Sequence, residues 1–554
     1  MEKLKNNKKS VSFMKNVLML MVAQFVIKLL GFVYRLVIIN IEGFGDIGNG
    51  YYSTGYQIYS LLLTLSSVGI PTIISKLVSE RVAIGDHKGA HRIFKTALKA
   101  FTCIGIVMSF ALFFGAGPIA RNIINVEEVK YTLMVLAPAI MFVSASAVLR
   151  GYFAGLGTMK PTSISQTLEQ FLNCLLTITF VYATIGKDTA IMAAAGNLST
   201  TIAIIIAFMY VVFFYKSRRK DILEDCKNQK VEMEDKTTKQ LLKTIFAVSI
   251  PMTIGSLVSV INSTIDTITV SNCIQTAFAG IIEGGKEALE LMAMQLSGML
   301  SKIETIIHLP LAINAAFSTA LVPAIASSIA KKDMVTASKR LSFSFVATII
   351  IIAPCAIGLS VLSEPILKMI YPASSEGAVL LALTTITMIF VALNYVINGG
   401  LYGIGKIHVP AIALAIGGVI KLVLNIVLIS NPKINIYGST ISSITCQGIA
   451  LLYCLLYLNK YIKLNINFKN NIFKPVISAI IMGGASYITY MWLVSTLGNT
   501  IATLAAIFIG VIVYALMIAI TRTLSKEEIY MIPFGTKLYN VLLKLKIYKE
   551  GENQ

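Results

Sequence analysis

Two cations, Lys28 and Arg35, lie inside the first hydrophobic segment of the chain, which runs from 17 to 40. A charge at bilayer depth costs roughly 2.5 to more than 10 kcal/mol, so such residues face protein or water and usually serve function. Their spacing corresponds to about 700° of helix rotation, so both side chains leave one helix face. Two interior positive charges indicate an anionic substrate. The alternative for Arg35, near the helix end, is snorkelling to the headgroups.

The seventh hydrophobic segment contains Asn262 and Asp266, which are one helical turn apart. An intramembrane carboxylate pairs with a cation, is held by hydrogen bonds, or binds a proton or Na⁺. For Asp266 the pattern leaves open an ion pair with a first-segment cation, a structural hydrogen bond and ion coupling.

Three more residues complete the predicted substrate-binding set. Tyr52 and Tyr56 share a helix face with Tyr59, which predicts a wall for a sugar or peptide headgroup; the alternative is packing or an outer aromatic belt. Lys302 opens the eighth segment, where it would form an outer gate, contact substrate, or lie among the headgroups.

Composition indicates a helical membrane protein. Of 554 residues, 56% are hydrophobic and 13% are charged, with a mean hydropathy of +0.77, whereas soluble domains carry about 25% charged residues. We expect no enzyme, because no Walker loop or paired catalytic carboxylates occur. We expect no metal site or cofactor, because the four histidines are scattered and the seven cysteines lack ligand spacing.

Apolar segments near twenty residues predict about fourteen membrane helices. They are 17–40, 49–75, 97–117, 131–156, 161–184, 189–215, 241–270, 303–330, 341–363, 377–403, 409–430, 434–459, 473–495 and 499–521. Most lysines and arginines fall in alternate connections, which places both termini in the cytoplasm of a multi-pass protein of the cell membrane. This asymmetry, with attraction to anionic lipids, explains the net charge of +20 better than nucleic-acid binding does.

The second half of the chain repeats the first at a spacing near 250 residues. Pro71 and its basic loop match Pro323, the glycine-rich 151–157 matches 399–405, and Glu169 matches Lys421. The predicted fold is therefore all-α, with two six-helix lobes in parallel repeat and two extra C-terminal helices. The predicted regions are an N-terminal lobe at 1–215, a cytoplasmic linker at 216–240, a C-terminal lobe at 241–460, helices thirteen and fourteen at 461–522, and an amphipathic cytoplasmic tail at 523–554. The stretch 279–301 reads as a short amphipathic helix inserted on the outside.

Several segments resemble the MOP flippase superfamily, in its MurJ and SpoVB-like polysaccharide-transport branch. The resembling segments are 28–35, 50–59, 69–80, 265–267 and 308–323. The resemblance implies a V-shaped cavity between the lobes, first-helix cations on a pyrophosphate, and an apolar groove for a polyprenyl tail at helices thirteen and fourteen. Gram-negative-type members carry three arginines: one at the position of Lys28, a second that aligns nearer Tyr34 than Arg35, and a third early in the eighth helix. This chain does not have all three, so their three-arginine clamp does not carry over intact.

The resemblance implies a flippase for a lipid-linked oligosaccharide such as lipid II, working as a monomer by alternating access for peptidoglycan synthesis. Its partners would be the lipid-linked glycan, membrane lipids and a coupling proton or Na⁺. Vegetative lipid II, a spore-cortex precursor and a teichoic or capsular unit remain open. The alternatives are a MATE-type multidrug/cation antiporter, opposed by the first-helix cations, and a membrane-embedded glycosyltransferase.

Overall fold

A computed structural model describes residues 26–67, 69–229 and 237–523 of the chain. Within these ranges the regular structure is entirely helical. The helices are α1 (26–39), α2 (Gly45–Ser67), α3 (Ile70–Ala83), α4 (His87–Pro118), α5 (Val129–Gly155), α6 (Lys160–Ala183), α7 (Thr189–Lys227), α8 (Thr238–Phe278), α9 (Gly285–Ala330), α10 (Met334–Val361), α11 (Ser363–Ile370), α12 (Ala378–Gly403), α13 (His408–Ile429), α14 (Tyr437–Asn459) and α15 (Lys474–Ile520).

The predicted all-α membrane fold is confirmed. Among the described residues, 11 helical stretches are long and apolar enough to cross a membrane. The predicted segments fall on helices throughout, and the counts differ for three reasons. Only 26–39 of the first segment is described, α6 contains many Thr, Ser and Gln residues, and α15 contains two predicted segments in one stretch.

The two predicted C-terminal spans form a helical hairpin. α15 is interrupted at Gly498, whose φ of 75° lies in the left-handed region that glycine adopts without strain. The two arms pack closely, because a Cβ on Gly510 would lie 2.3 Å from Ser486 Oγ. The Tyr490 hydroxyl also donates to Asn499 Oδ1 across the turn, at 3.0 Å.

One predicted helix is wrong, and the predicted linker stays a prediction although part of it is helical. The stretch 279–301 does not form a separate short helix, because α9 begins at Gly285 and continues without a break to Ala330. The predicted linker is also partly helical, since α7 extends to Lys227. Residues 230–236 of that linker and the tail from 524 onwards lie outside the described residues, as do residues 1–25.

Helix starts recur at a constant distance along the chain. The first residues of four pairs of helices are about 248 residues apart. The separations are 247 for His87 and Met334, 249 for Val129 and Ala378, 248 for Lys160 and His408, and 248 for Thr189 and Tyr437. The starts of α4 and α10 are capped alike, because the carboxylate of the preceding Asp86 or Asp333 accepts a backbone N–H in the first turn.

Close glycine packing refines the register of this repeat. A Cβ on Gly151 would lie 2.7 Å from the Pro71 carbonyl oxygen, and one on Gly399 would lie 3.0 Å from that of Ser318. Pro71 therefore corresponds to Ser318, and the predicted match with Pro323 is wrong by about one helical turn. At a spacing of 248 residues, the equivalent of Lys421 is Asn173 rather than Glu169.

The chain divides into two compact units, residues 1–302 and 303–554. The boundary lies inside α9 and does not coincide with the predicted linker, so the lobe boundaries stay a prediction. In the first unit, one hydrophobic core joins α3, α4, α5, the end of α7 and the start of α8. In the second unit, an equivalent core joins α9, α10, α12, α13 and α14.

Candidate functional site

Arg35 is held near the end of α1 by two groups of the first unit. Its Nη1 donates to Ser301 Oγ at 2.8 Å, and its guanidinium carbon lies 5.8 Å from the centre of the Tyr52 ring. The side chain is half-buried. An arginine remains charged in proteins, so α1 keeps a fixed positive charge inside the predicted first membrane segment. Arg35 is therefore positioned by protein contacts in this conformation.

Lys28 lies two turns before Arg35 on the same side of α1, and its side chain is exposed. Within the described residues no carboxylate forms an ion pair with it. The structure therefore leaves the Lys28 ammonium accessible to an anion while Arg35 is partly enclosed. The anion-binding role of both residues stays a prediction.

The tyrosines of α2 differ in accessibility. Tyr52 is 1% exposed, and its hydroxyl donates to the Tyr34 hydroxyl at 3.4 Å, whereas Tyr56 is 38% exposed. Tyr59 is also buried. A substrate cannot contact Tyr52 in this conformation, because packing against α1 covers it. Tyr56 is the member of the predicted pair that a substrate can reach.

Lys302 forms a buried ion pair that the sequence did not predict. Its Nζ lies 2.6 Å from Asp46 Oδ2, and the side chains are 0% and 4% exposed. Location among the headgroups is therefore wrong for Lys302, since no part of its side chain reaches the surface. Contact with substrate would require the pair to separate. A paired lysine at a junction of helices fits the predicted gate better.

The ion pair belongs to a contact between the start of α2 and residues 294–302 of α9, here called the α2–α9 contact: Asp46, Asn49 and Gly50 against Met294, Gly298 and Lys302. Asn49 Nδ2 donates to the Gly298 carbonyl at 2.7 Å. A Cβ on Gly298 would lie 1.7 Å from the Asp46 carbonyl oxygen, and one on Gly50 would lie 2.0 Å from that of Met294. Backbone meets backbone here, so only glycine fits.

We expect Gly298→Ala to destabilise this conformation by roughly 1–3 kcal/mol or more, as overpacking does, because the added methyl group overlaps a backbone carbonyl. The measurement is the thermal unfolding midpoint of the purified chain. Gly484→Ala is the matched control, since a Cβ there meets no described atom within 4 Å. An equal change in midpoint for both variants would contradict the close contact.

Further hydrogen bonds tie together the same end of the first unit. Tyr51 donates to Glu128 at 2.7 Å, and the Gln275 side chain of α8 donates to the Asn125 carbonyl at 2.8 Å. In the connection before α5, hydrogen bonds from Arg121 and Lys130 lower the pKa of Glu127 to about 2, so that carboxylate stays ionised. The ends of α4 and α8 and the starts of α2, α5 and α9 are thus joined at one end.

α8 carries the predicted Asn262 and Asp266, and both are buried. The helix contacts α2 through Gln57, whose Nε2 lies 3.3 Å from Thr264 Oγ1. Asp266 thus lies two residues after the Thr264 of this α2–α8 contact. Ion coupling at Asp266 stays a prediction.

Arg150 is a buried residue that sequence reasoning missed. Its Nη2 donates to Glu169 Oε2 at 2.8 Å and its Nε to Ser165 Oγ at 2.9 Å, which joins α5 to α6. The rule that singled out Lys28 applies equally to an arginine inside the predicted segment 131–156. Asp46 gave no such signal, because it lies at a helix start, where acidic residues are common.

A family model described as "Polysaccharide biosynthesis protein" matches residues 13–329, more than half of the chain. The chain belongs to this family. The match covers α1 to α9 and so includes the contacts of the first unit. Together with the membrane-length helices, it makes the chain a multi-pass membrane protein.

Relatives of this polysaccharide biosynthesis family member cover nearly its whole length. It is 25% identical to "Stage V sporulation protein B" of Bacillus subtilis (strain 168), over 95% of this chain and 99% of the relative. It is 24% identical to "Lipid II flippase MurJ" of the same organism, over 85% and 87%.

Solved structures share the fold of this family member. "Lipid II flippase MurJ, inward closed conformation" matches with a TM-score of 0.67 and 18% identity, covering 90% of this chain and 97% of that one. A multidrug resistance MATE family transporter of the MOP superfamily, in an inward-facing conformation, matches with a TM-score of 0.63 and 15% identity, covering 77% and 93%. At these identities the structures support the fold alone.

Proposed function

We propose that the protein moves a lipid-linked oligosaccharide, carried on undecaprenyl pyrophosphate, from the inner to the outer leaflet of the cell membrane for cell-wall peptidoglycan synthesis. The observation that supports this proposal most strongly is Arg35, a permanent positive charge held by Ser301 and Tyr52 inside a membrane protein of a polysaccharide biosynthesis family. Two relatives of this chain have names that refer to sporulation and to lipid II transport, which supports a cell-wall precursor as cargo.

The transport step needs no covalent chemistry. Lys28 and Arg35 bind the pyrophosphate and offset the cost of removing it from water, with Arg able to engage two phosphate oxygens at once. The polyprenyl tail stays in lipid against the apolar α15 hairpin. With both termini cytoplasmic, the α2–α9 contact lies at the outer side, and its separation releases the headgroup outside.

Energy for transport comes from the membrane potential or from a proton or Na⁺ at the buried Asp266. We propose the ion role because an intramembrane carboxylate is costly unless it is neutralised. The functional unit is a monomer. If Asp266 binds the ion, Asp266→Asn retains substrate binding but loses dependence of transport on the ion gradient.

Depletion of the protein in its native cell tests the function. We expect a lipid-linked glycan to accumulate in the inner leaflet, and mass spectrometry of extracted lipids identifies it. Lipid II, a spore-cortex precursor and a teichoic or capsular unit differ in mass and so are distinguished. Unchanged levels of every undecaprenyl-pyrophosphate lipid, in a cell without a second flippase, would contradict the proposal.

A second candidate is a MATE-type multidrug/cation antiporter, which only the likeness in fold favours. Cationic drugs require acidic binding residues, whereas α1 presents Lys28 and Arg35. Drug susceptibility of cells with and without the gene distinguishes the two. The flippase proposal expects no change in resistance to cationic drugs.

A further inference from the structure

Two connections of the second unit meet on one side of it, and each contributes a lysine. One connection joins α12 to α13 and contains Lys406, and the other joins α14 to α15 and contains Lys460. Two membrane-length helices, α13 and α14, run between these connections, so both lie on the same side of the unit. The charge asymmetry of the sequence predicts that this side is cytoplasmic.

A pair of tyrosines brings the two lysines together. The ring centres of Tyr457 and Tyr461 are 5.7 Å apart. Lys406 Nζ lies 5.5 Å from the centre of the Tyr461 ring, and Lys460 Nζ lies 5.8 Å from the centre of the Tyr457 ring. A ring face attracts an ammonium group at these distances. Two positive charges are therefore held around one pair of rings, and Tyr461 is 46% exposed beside them.

The segment that carries Tyr461 is anchored to the second unit. Ile462 is 2% exposed and belongs to the hydrophobic core of that unit. Ser338 Oγ of α10 donates to the Lys463 carbonyl at 2.5 Å, and the Asn465 N–H donates to Ser342 Oγ at 3.0 Å. The backbone that follows α14 is thus fixed against α10, and the lysine and the tyrosine on it have defined positions.

The positive charges at this place lack an acidic partner. The sequence contains no Asp or Glu from 377 to 523. Within the described residues, neither Lys406 nor Lys460 forms an ion pair. Asp333 is the only carboxylate that the described part of the second unit has on this side, and it caps α10 by accepting the Thr336 N–H at 2.9 Å. An anion from outside the chain would therefore complete the arrangement.

The first unit indicates that the fold does not require this arrangement. On its corresponding side a basic residue is paired within the chain, because Arg81 Nη1 lies 2.9 Å from Asp86 Oδ2. At the repeat spacing of 248 residues, the equivalents of Lys406, Lys460 and Tyr461 are Thr158, Val212 and Phe213. The two lysines and the tyrosine hydroxyl are thus specific to the second unit, which argues for a use beyond the common scaffold.

Outward-facing apolar side chains adjoin the tyrosine pair. Ile407, next to Lys406, is 68% exposed, and Leu456, next to Tyr457, is 61% exposed. Exposed apolar residues at the end of a membrane helix contact the hydrocarbon of the bilayer. The missing anion therefore has both a charged group and apolar chains. Basic pockets of membrane proteins on the cytoplasmic side bind anionic lipid headgroups in this way.

We propose that Lys406, Lys460 and the Tyr461 hydroxyl form a binding site for the phosphate of an anionic phospholipid of the inner leaflet. Both ammonium groups donate charge-assisted hydrogen bonds to phosphate oxygens, and the tyrosine hydroxyl donates another. The acyl chains extend into the bilayer beside Leu456. The bound lipid supplies the negative charge that the second unit lacks on this side. The site does not involve the α1 cations and does not rest on the proposed transport function.

The alternative is that these lysines only contribute to a diffuse positive surface. A diffuse surface attracts anionic lipid according to its total charge, so the loss of any two exposed lysines from the predicted cytoplasmic side has the same effect. A defined site loses its lipid only when its own lysines are replaced.

The test measures lipid binding to the full-length purified chain by native mass spectrometry, with phosphatidylglycerol and with phosphatidylcholine of the same acyl chains. We expect Lys406→Gln with Lys460→Gln to weaken phosphatidylglycerol binding about tenfold or more, the size of one lost charge-assisted hydrogen bond. The matched control, Lys95→Gln with Lys99→Gln, removes two exposed lysines of α4 and should change binding by less than about twofold. Lys406→Arg with Lys460→Arg keeps both charges and should retain binding, which separates lost charge from misfolding.

The outcomes distinguish a phospholipid site from other sources of phosphate. Equal weakening by the two Lys→Gln pairs, weakening by neither, or equal binding of phosphatidylcholine and phosphatidylglycerol to the wild-type chain would overturn the site. Displacement of phosphatidylglycerol by an equal concentration of inorganic phosphate would overturn the choice of a lipid. A larger effect of Lys406→Gln with Lys460→Gln on undecaprenyl pyrophosphate than on phosphatidylglycerol would reassign the site to the transported lipid and so overturn the proposal. None of these results alters the test of the α1 cations, so the two proposals fail independently.

Discussion

Asp46→Ala is expected to destabilise this conformation by about 3–5 kcal/mol, because it leaves the Lys302 ammonium buried without its carboxylate. Lys302 is 0% exposed in the structure, so water cannot replace the lost partner unless α2 and α9 separate. The thermal unfolding midpoint of the purified chain measures the loss. Accessibility to a water-soluble reagent of a cysteine introduced at position 294, where Met294 is 0% exposed in the same contact, measures the separation.

The chain contains a matched control for the Asp46→Ala variant. Lys368 and Glu364 form an ion pair at the same distance, 2.6 Å, but both side chains are more than half exposed. Glu364→Ala should lower the free energy of unfolding by less than about 1 kcal/mol, because exposed ion pairs contribute little to stability. A combined Asp46→Leu and Lys302→Met variant should restore most of the stability, because it removes both buried charges. Equal effects of Asp46→Ala and Glu364→Ala would contradict the buried pair.

Lys28→Ala with Arg35→Ala is expected to reduce transport of a pyrophosphate-linked lipid by about a hundredfold or more. Each cation makes charge-assisted hydrogen bonds to phosphate, worth roughly 1.5–3 kcal/mol apiece. Losing both leaves a doubly charged group without compensation in the membrane interior. Initial transport rates in proteoliposomes, at equal protein incorporation, provide the measurement.

Two control variants distinguish the loss of positive charge from a change in the structure around Arg35. Ser301→Ala removes the 2.8 Å hydrogen bond to Arg35 but keeps the guanidinium, so most transport should remain. Lys187→Ala removes an exposed lysine from the connection before α7 and should have no effect. If Ser301→Ala is as damaging as the double variant, Arg35 acts through the fold and does not bind the phosphate.

Hydropathy predicted the helices well, because a bilayer requires long apolar helical segments whatever the rest of the chain does. Hydropathy failed at helix boundaries that are not marked by a change in hydropathy. The stretch 285–302 is polar enough to read as separate, but α9 runs through it and on to Ala330 as one helix. The repeat was found, but its register was set by two prolines that do not occupy equivalent positions.

Contacts between distant parts of the sequence could not be predicted from the residues alone. Asp46 and Lys302 are 256 residues apart, and each reads as an ordinary residue near the start of a helix. Gly298 looks like any membrane-helix glycine until the Asp46 carbonyl is seen beside it. By contrast, Lys28, Arg35 and Asp266 were found because a charge at bilayer depth is conspicuous wherever the chain folds.

The most direct test of the central claim is transport of purified lipid II by the wild-type chain in proteoliposomes. Transport is detected when an external enzyme that modifies the headgroup gains access to the lipid. We predict that the chain exposes lipid II faster than protein-free vesicles do, and that the Lys28→Ala, Arg35→Ala variant does not. Because the cargo is one of several candidates, the same assay is run with a teichoic-type pyrophosphate lipid. Failure to move either lipid, by a folded wild-type chain under an imposed membrane potential and ion gradient, would contradict the account.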